Sequence, residues 1–157
     1  MNMNGAFAWP RVAVIAIIRD HQGRVCTGRR IGALGGGQLS FPGGHLELGE
    51  GIFACVEREA LEESGLVIRG VQVIGVTNDF FVKNNKHYIT IFAECEQLDL
   101  KQQPQRLEPE KCEGWGWMSW EELEALAKNE STSEELFLPV VNLIRSNLYK
   151  PSNIHQL

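Results

Sequence analysis

The chain reads as an α/β protein, an α/β/α sandwich with helices on both faces of a sheet. Three observations carry that reading. Short runs rich in β-branched and aromatic residues recur between turn residues. Helical segments are interspersed among these runs. No repeat, linker or break in composition divides the 157 residues, so one domain spanning 1–157 is expected.

The elements follow in order. Arg11 to Ile18 (RVAVIAII) is a buried strand, Asp20 to Gly23 a turn, and Arg24 to Arg29 a second strand. Ile31 to Gln38 holds four glycines and makes a loop beside the site. Leu46 to Leu48 forms a short strand ahead of a helix. That helix, Ile52 to Ser64, has no proline or internal glycine and stops at Gly65, a residue suited to a left-handed C′ position. Val71 to Val82 and His87 to Cys95 are strands joined through Asn84-Asn85, because asparagine tolerates left-handed backbone. Glu96 to Lys111 is polar, contains Pro104 and Pro109, and is a loop long enough to suspect function. Glu113 to Met118 is a short strand. Ser119 and Glu122 form a capping box that opens a helix, with Met118 and Leu123 as its hydrophobic staple. After the polar stretch Lys128 to Ser133, a last helix is expected over Glu134 to Asn147.

Composition removes several function classes. An apolar fraction of 43% suffices for one core. A net charge of −5 is the wrong sign for a polymeric nucleic-acid partner. The four cysteines (Cys26, Cys55, Cys95, Cys112) have no CxxC spacing, which argues against zinc and a disulfide framework and for reduced thiols in the cytoplasm. The apolar run Val12 to Ile18 is too short to span a bilayer. It follows Pro10-Arg11 without a basic n-region or a small-residue cleavage pattern, so neither a membrane nor a signal peptide is expected.

Residues 44 to 66, GHLELGEGIFACVEREALEESGL, carry the chemistry. Glu47, Glu50, Glu57, Glu59, Glu62 and Glu63 face a single arginine, Arg58. Carboxylates sharing a helix face repel, and hard divalent cations, which prefer oxygen ligands, are the natural compensation. At about 100° per residue, Glu59 and Glu63 fall within roughly 40° of one another and Glu62 lies on their flank. Ile52, Phe53, Val56 and Ala60 form the adjoining apolar arc. The carboxylates should therefore border the buried face, with Glu57 on the far side. Ahead of the helix, Pro42-Gly43-Gly44 brings in a glycine turn.

The spacing Gly44-x5-Glu50-x7-Arg58-Glu59-x2-Glu62-Glu63-x-Gly65 resembles the Nudix box, with every specified position filled. The resemblance extends to Arg29-Arg30, Phe41 to Glu47, His87 to Ile91, Glu108 to Lys111 and Trp115-Gly116-Trp117. It is to small eukaryotic-type cytosolic Nudix diphosphatases acting on nucleoside triphosphates, including oxidised or thiolated guanine nucleotides. It implies the Nudix fold with a mixed β-sheet, and Mg²⁺ with Mn²⁺ as substitute. It further implies a small-molecule nucleotide or other diphosphate as partner, a role in cleansing the nucleotide pool, and a homodimer.

The resemblance also implies roles for residues. Glu59, Glu62 and Glu63, with a backbone carbonyl of Gly43 or Gly44, would hold the metal. Glu59 or Glu63 would accept the proton of the attacking water, and Arg58 would orient a catalytic glutamate, with Glu50 structural. Glu110 or Glu113 would add a loop carboxylate, the alternative being a solvated charge. Arg30 would reach a phosphate or else be a surface charge. His45 would donate to a phosphate or else satisfy loop backbone, and His87 reads as a strand histidine. Phe41, Thr90, Phe137 and Leu138 match base-pocket positions, with Phe41 and Phe137 as core residues the alternative. The chain departs from the mammalian pattern at Ser40, at Leu138 and in Lys128 to Glu134. Function is expected to be cleavage of a nucleoside triphosphate to monophosphate and pyrophosphate. The alternatives are a Nudix hydrolase of an isoprenyl diphosphate, pterin triphosphate or nucleotide sugar, and a catalytically idle ligand sensor.

Overall fold

The computed structural model describes residues 9–151, so the expected limits at 1 and 157 lie outside the described residues. In chain order the elements are β1 (Arg11–Arg19), β2 (Val25–Arg30), β3 (Leu39–Ser40), β4 (Gly43–His45), α1 (Ile52–Ser64), β5 (Ile68–Phe81), β6 (Lys86–Gln97), β7 (Cys112–Met118), α2 (Trp120–Lys128) and α3 (Leu138–Ser146). The sheet is mixed. It runs β3-β2-β1-β6-β5, with β1 and β6 parallel and the remaining pairs antiparallel.

Alternation along β1 divides the interior in two. Val14, Ala16 and Ile18 face a cluster with Cys55, Val56 and Ala60 of α1. Ile15 and Ile17 face a second cluster with Trp120, Leu123 and Ala127 of α2 and Val140, Val141, Leu143 and Ile144 of α3. One helix therefore covers one face and two cover the other, as a strand buried on both sides requires.

The edge of β1 opposite β6 is shared. β2 pairs at its end, Arg19 with Val25, whereas β4 pairs at its start, Ala13 with His45 through Ile15 with Gly43. Beyond Arg19, β2 departs to pair with β7 and β3. This fork opens space between β2 and β4 at one end of the sheet.

Two expected elements fall elsewhere. The short strand before α1 is Gly43–His45, not Leu46 to Leu48. Leu48 is fully exposed in a turn closed by Glu50 N–H on Glu47 O at 3.0 Å, with Gly49 at φ 81°. The last helix begins at Leu138 rather than Glu134, following a single 3-10 turn at Ser133–Glu135. Pro139 lacks an N–H and its ring would strike the carbonyl four residues back, so it is admitted only in a first helical turn. Between β5 and β6 the chain turns through Val82–Asn84 to Asn85 in the left-handed region at φ 48°. The capping box of α2 is present as expected. All four cysteines are free thiols, and among the described residues no helix is long and apolar enough to cross a membrane.

Helix α1 is held against β5 at Gly70, whose N–H donates to Glu57 Oε1 at 3.0 Å. A Cβ at Gly70 would sit 2.6 Å from the Phe53 ring, so the helix approaches the sheet only over a bare glycine. Gly70→Ala should therefore destabilise the protein by about 1–3 kcal/mol through overpacking. Denaturant unfolding with an unchanged m-value checks this, and wild-type stability would show that Phe53 yields without cost.

Candidate active site

Helix α1 presents its carboxylates to the fork. Glu59 and Glu63 lie one turn apart and are each 9% exposed, whereas the Glu62 side chain is 47% exposed and turned toward Arg58. Glycine makes this arrangement possible. A Cβ on Gly44 would lie 2.3 Å from Glu59 Oε1, so the carboxylate rests on bare backbone. Gly43 N–H donates to Glu63 Oε1 at 2.9 Å.

Arg58 organises the opposite flank. It grips Glu50 with two bonds, Nε to Oε1 at 2.6 Å and Nη2 to Oε2 at 3.0 Å. Nη1 then reaches Glu59 Oε1 at 3.0 Å and Glu62 Oε2 at 3.3 Å, and Nη2 donates to the carbonyl of His45 at 3.3 Å. A planar guanidinium suits this fork-to-fork geometry. The hydrogen bonds from Arg58 hold Glu50 down at about 2. Arg58 itself is raised, first by its hydrogen bonds to Glu50.

The carboxylates on the cavity side are shifted the other way. Burial pushes Glu63 up to about 8. The hydrogen bond from Gly43 opposes this, and the charges of Glu59 and Glu108 add to it. Glu59 is also raised by burial, against the pull of Arg58. Two adjoining carboxylates that resist ionisation on their own are a site in want of positive charge.

The long loop, residues 98–111, closes the end of this helix. Leu107 N–H and Trp115 Nε1 donate to Glu63 O at 3.3 and 3.1 Å, Gln105 N–H to Ser64 O at 2.8 Å, and Gln102 Nε2 to Gly65 O at 2.7 Å. These donors satisfy carbonyls that a helix end leaves open. The loop also sets Lys111 at the cavity wall, paired to Glu108 at 2.6 Å. That hydrogen bond is the main cause raising Lys111. Of the loop carboxylates, Glu108 is the one that bears on Glu63. Glu110 is exposed, and Glu113 lies on a separate groove along β7, facing away. The strand phase explains the difference, since Cys112 turns inward at the start of β7 and Glu113 turns out.

Beside the carboxylates lies a cavity of about 250 Å³. Phe41 and Phe137 line it and also belong to the core, so the two readings of these residues coincide. Phe81 stacks on Phe137 at 5.3 Å between centroids. Arg30 lies over the Phe137 ring, its Cζ 4.0 Å from the centroid and its Nε on Leu34 O at 3.1 Å. Burial lowers Arg30, with Glu63 opposing, and the cation–π contact keeps the charge at the wall. His45 bonds Tyr88 Oη at 3.0 Å and stacks on its ring. Burial first, then the cations Arg11, Arg30, Lys111 and Lys86, lower its pKa and favour the neutral ring.

The structure thus brings Glu59, Glu63, Gly43, Gly44, His45, Arg30, Phe41, Thr90 and Phe137 to one cavity. It does not bring Leu138, which borders an open groove beside Phe80 and Val82 while Pro139 faces the cavity. His87 bonds Asn78 outside the site. Tyr88 and Lys111 line the cavity without having been expected there. The alternation of His87 to Ile91, which sets Tyr88 beside Thr90 on one face of β6, is the signal that could have exposed the first.

Among the described residues no group of three or more His, Cys, Asp or Glu encloses a ready-made metal position. The donor set nonetheless fits Mg²⁺, which is bound by one or two carboxylates, waters and substrate phosphates and not by an all-protein cage.

The family profile of the NUDIX domain matches residues 9–139. A MutT NUDIX hydrolase from Burkholderia pseudomallei is similar at 25% identity and TM-score 0.62, over 71% of this chain and 84% of that one. A NUDIX hydrolase from Nitrosomonas europaea shares the fold at TM-score 0.70 and 23% identity, over 95% and 97% of the two chains. A MutT protein from Methanosarcina mazei Go1 does so at TM-score 0.70 and 19% identity, over 92% and 100%. With the box glutamates on α1 beside the glycine turn, the chain belongs to the Nudix family and is a MutT-like pyrophosphohydrolase, of a family that acts on diphosphate-containing substrates and generally uses a divalent metal such as Mg²⁺.

Proposed function

We propose that the protein is a Mg²⁺-dependent diphosphatase that cleaves nucleoside triphosphates between the α and β phosphates, releasing monophosphate and pyrophosphate and so cleansing the nucleotide pool. The observation that carries this reading is the placing of the buried Glu59–Glu63 pair against a heterocycle-sized cavity walled by Phe41 and Phe137. The cavity lies just below the usual ~300–1,000 Å³ range for ligand sites, so it suits a planar base with the phosphates outside. An isoprenyl chain is the weaker alternative, because it offers no polar atom to the wall of Arg30, Tyr88 and Thr90. The buried free thiols accord with a reducing cytoplasm. We propose a single Nudix domain working as a homodimer, the latter to be checked by sedimentation.

Glu59 and Glu63 would hold the metal together with a carbonyl of Gly43 or Gly44, and Glu62 would join them from its exposed position. When bound, Mg²⁺ neutralises phosphate oxygens and lowers the pKa of a water. The chain supplies the rest. Phe137 and Phe41 orient the base, which sets the α-phosphate, the group nearest the nucleoside, beside the carboxylates. Arg30 and Lys111 bind the phosphates that extend beyond it. Arg58 opposes the burial that raises Glu59 and aims it through Oε1. Glu63 engages Gly43 through Oε1, which leaves Oε2 as the oxygen to take a proton from the attacking water.

Hydrolysis should stop in excess EDTA and return with Mg²⁺ or Mn²⁺. Metal binding requires Glu63 to lose its proton, so below a pH of about 8 the apparent metal affinity should fall by about tenfold per pH unit. Activity titrated against Mg²⁺ at several pH values measures this, and full turnover in chelator would remove the mechanism.

Glu63→Gln should lower kcat by a factor of about 100 or more, with Glu57→Gln near wild type because its amide can still accept from Gly70. In the metal-free protein the same Glu63 change should be stabilising at alkaline pH. Glu63 has a folded pKa above its unfolded value of about 4.3, so the folded state holds the extra proton in between. Stability then falls as pH rises toward about 8, and glutamine abolishes that fall. Thermal unfolding across pH tests it, and equal kinetic losses from both changes would mean the wrong helix face is in the site.

Turnover of a deoxyguanosine triphosphate should yield monophosphate and pyrophosphate. In ¹⁸O-water the label reports attack at the α phosphorus if found in the monophosphate and at the β phosphorus if found in pyrophosphate. Orthophosphate as the first product would overturn the assignment.

A further inference from the structure

Arg30 and Lys111 give the cavity its cations on the β2 side, and the opposite side carries two more. Strand alternation puts them there. On β1, Ala13 and Ile15 line the cavity, so Arg11, two residues before Ala13, stands on the same face at its outer end. On β6, Tyr88 and Thr90 line it, and Lys86 holds the matching place two residues before Tyr88. The register ties these positions together. Arg11 is the partner of Tyr88 across β1 and β6, and Lys86 is the partner of Phe81, itself a cavity residue, across β5 and β6. His45 opposes Ala13 from β4 and bonds Tyr88, so its ring spans from the glycine turn to the row that holds Arg11.

Both cations are exposed, and among the described residues neither enters an ion pair, whereas Arg29, Arg58, Arg69, Lys111 and Lys128 all do. Their nearness is felt at His45, whose pKa is lowered first by burial and then by Arg11, Arg30, Lys111 and Lys86. Four cations thus surround one mouth in a chain whose net charge is −5. Like charges gathered in this way repel, and a polyanion is the ligand that relieves them. Solvated strand-end charges have no preferred face, but these two share the face of the cavity.

We propose that Arg11 and Lys86, with His45 beside them, form a subsite for the terminal phosphate of a triphosphate and so favour nucleoside triphosphates over diphosphates. This rests on the nucleotide reading above but extends it to the far end of the phosphate chain. With the α-phosphate at the carboxylates, Arg30 and Lys111 hold the β-phosphate from the β2 side, and the γ-phosphate crosses toward β1 and β6. A guanidinium and an ammonium both suit phosphate oxygens, with charge-assisted hydrogen bonds stronger than neutral ones. The γ-phosphate departs within pyrophosphate, so the same two residues hold that product until release. A diphosphate leaves the subsite empty. Because the γ-phosphorus does not react, its contacts contribute to binding and their loss appears in KM.

The test compares kcat/KM for dGTP and dGDP in excess Mg²⁺. Arg11→Ala and Lys86→Ala should each lower the triphosphate-to-diphosphate ratio by about tenfold, through a rise in KM for dGTP. Arg11→Lys and Lys86→Arg keep the charge and should keep the ratio. Lys128→Ala removes a charge from α2, outside the cavity, and should leave the ratio unchanged. Added salt should lower the wild-type ratio but not that of the double alanine variant, since exposed charges are screened. Calorimetric affinity of the Mg²⁺-loaded protein for pyrophosphate should fall in the alanine variants, with that for dGMP retained. An undiminished ratio in the double variant, or equal losses for dGTP and dGDP, would make Arg11 and Lys86 general surface charges and overturn the proposal. Should an alanine variant fail to fold, Arg11→Gln and Lys86→Gln make the same comparison. If no nucleotide is turned over, binding of inorganic tripolyphosphate decides alone. An affinity that falls in the double variant keeps the subsite while the nucleotide reading falls, and an unchanged affinity sinks the subsite as well.

Discussion

The close approach of α1 to β4 is the constraint on which the site depends. Gly44 permits it, since a Cβ there would meet the Glu59 carboxylate at 2.3 Å. Gly43 does the same for β4 against β1, where a Cβ would meet Val14 O at 2.4 Å. A side chain at Gly44 would hold the helix away from the strand, and the acidic face would then be solvated instead of buried. Burial raises both carboxylates, and that makes them a place where a cation is worth more than in water.

Arg58 prevents this charge from unravelling the helix. It joins Glu50, ahead of α1, to Glu59 and Glu62 within it and to the backbone of His45. The arginine therefore does not merely neutralise one neighbour. It divides the acidic set, keeping Glu50 firmly ionised and leaving the Glu63 side with no comparable partner. Glu50, gripped by that guanidinium, and Glu63, raised by burial, thus differ in proton affinity.

Much of this was legible in the chain. The bounds of α1, its left-handed stop at Gly65 and the capping box of α2 follow from local rules of spacing and capping, which need no tertiary knowledge. Glu59 and Glu63 could be placed on the border of the buried face because helical geometry alone dictates their phase. The errors lie where side-chain direction depends on a distant event. Leu138 points out because Pro139 delays the helix start and makes Phe137 the residue that faces the cavity. Glu108 approaches Glu63, in place of Glu110 or Glu113, because the path of a long loop is decided by what it caps. Tyr88 escapes a reading of the chain because its place arises from the pairing of β6 with β5, which opposes it to Asp79.

The capping of α1 by the long loop also bears on the order in which the molecule is made. The carbonyls of its last turn are satisfied by donors that lie between 37 and 52 positions further along the chain. A helix is ordinarily a local object, able to form as soon as its own residues are free. Here the turn bearing Glu63 leaves the ribosome well before Gln102, Leu107 and Trp115, at the ~5–20 residues per second of synthesis. Until β7 pairs with β2, that turn has water where it will later have indole and amide donors. The end of the helix that bears Glu63 therefore completes its hydrogen bonds later than the rest of α1, although α1 is the first of the described helices to be synthesised.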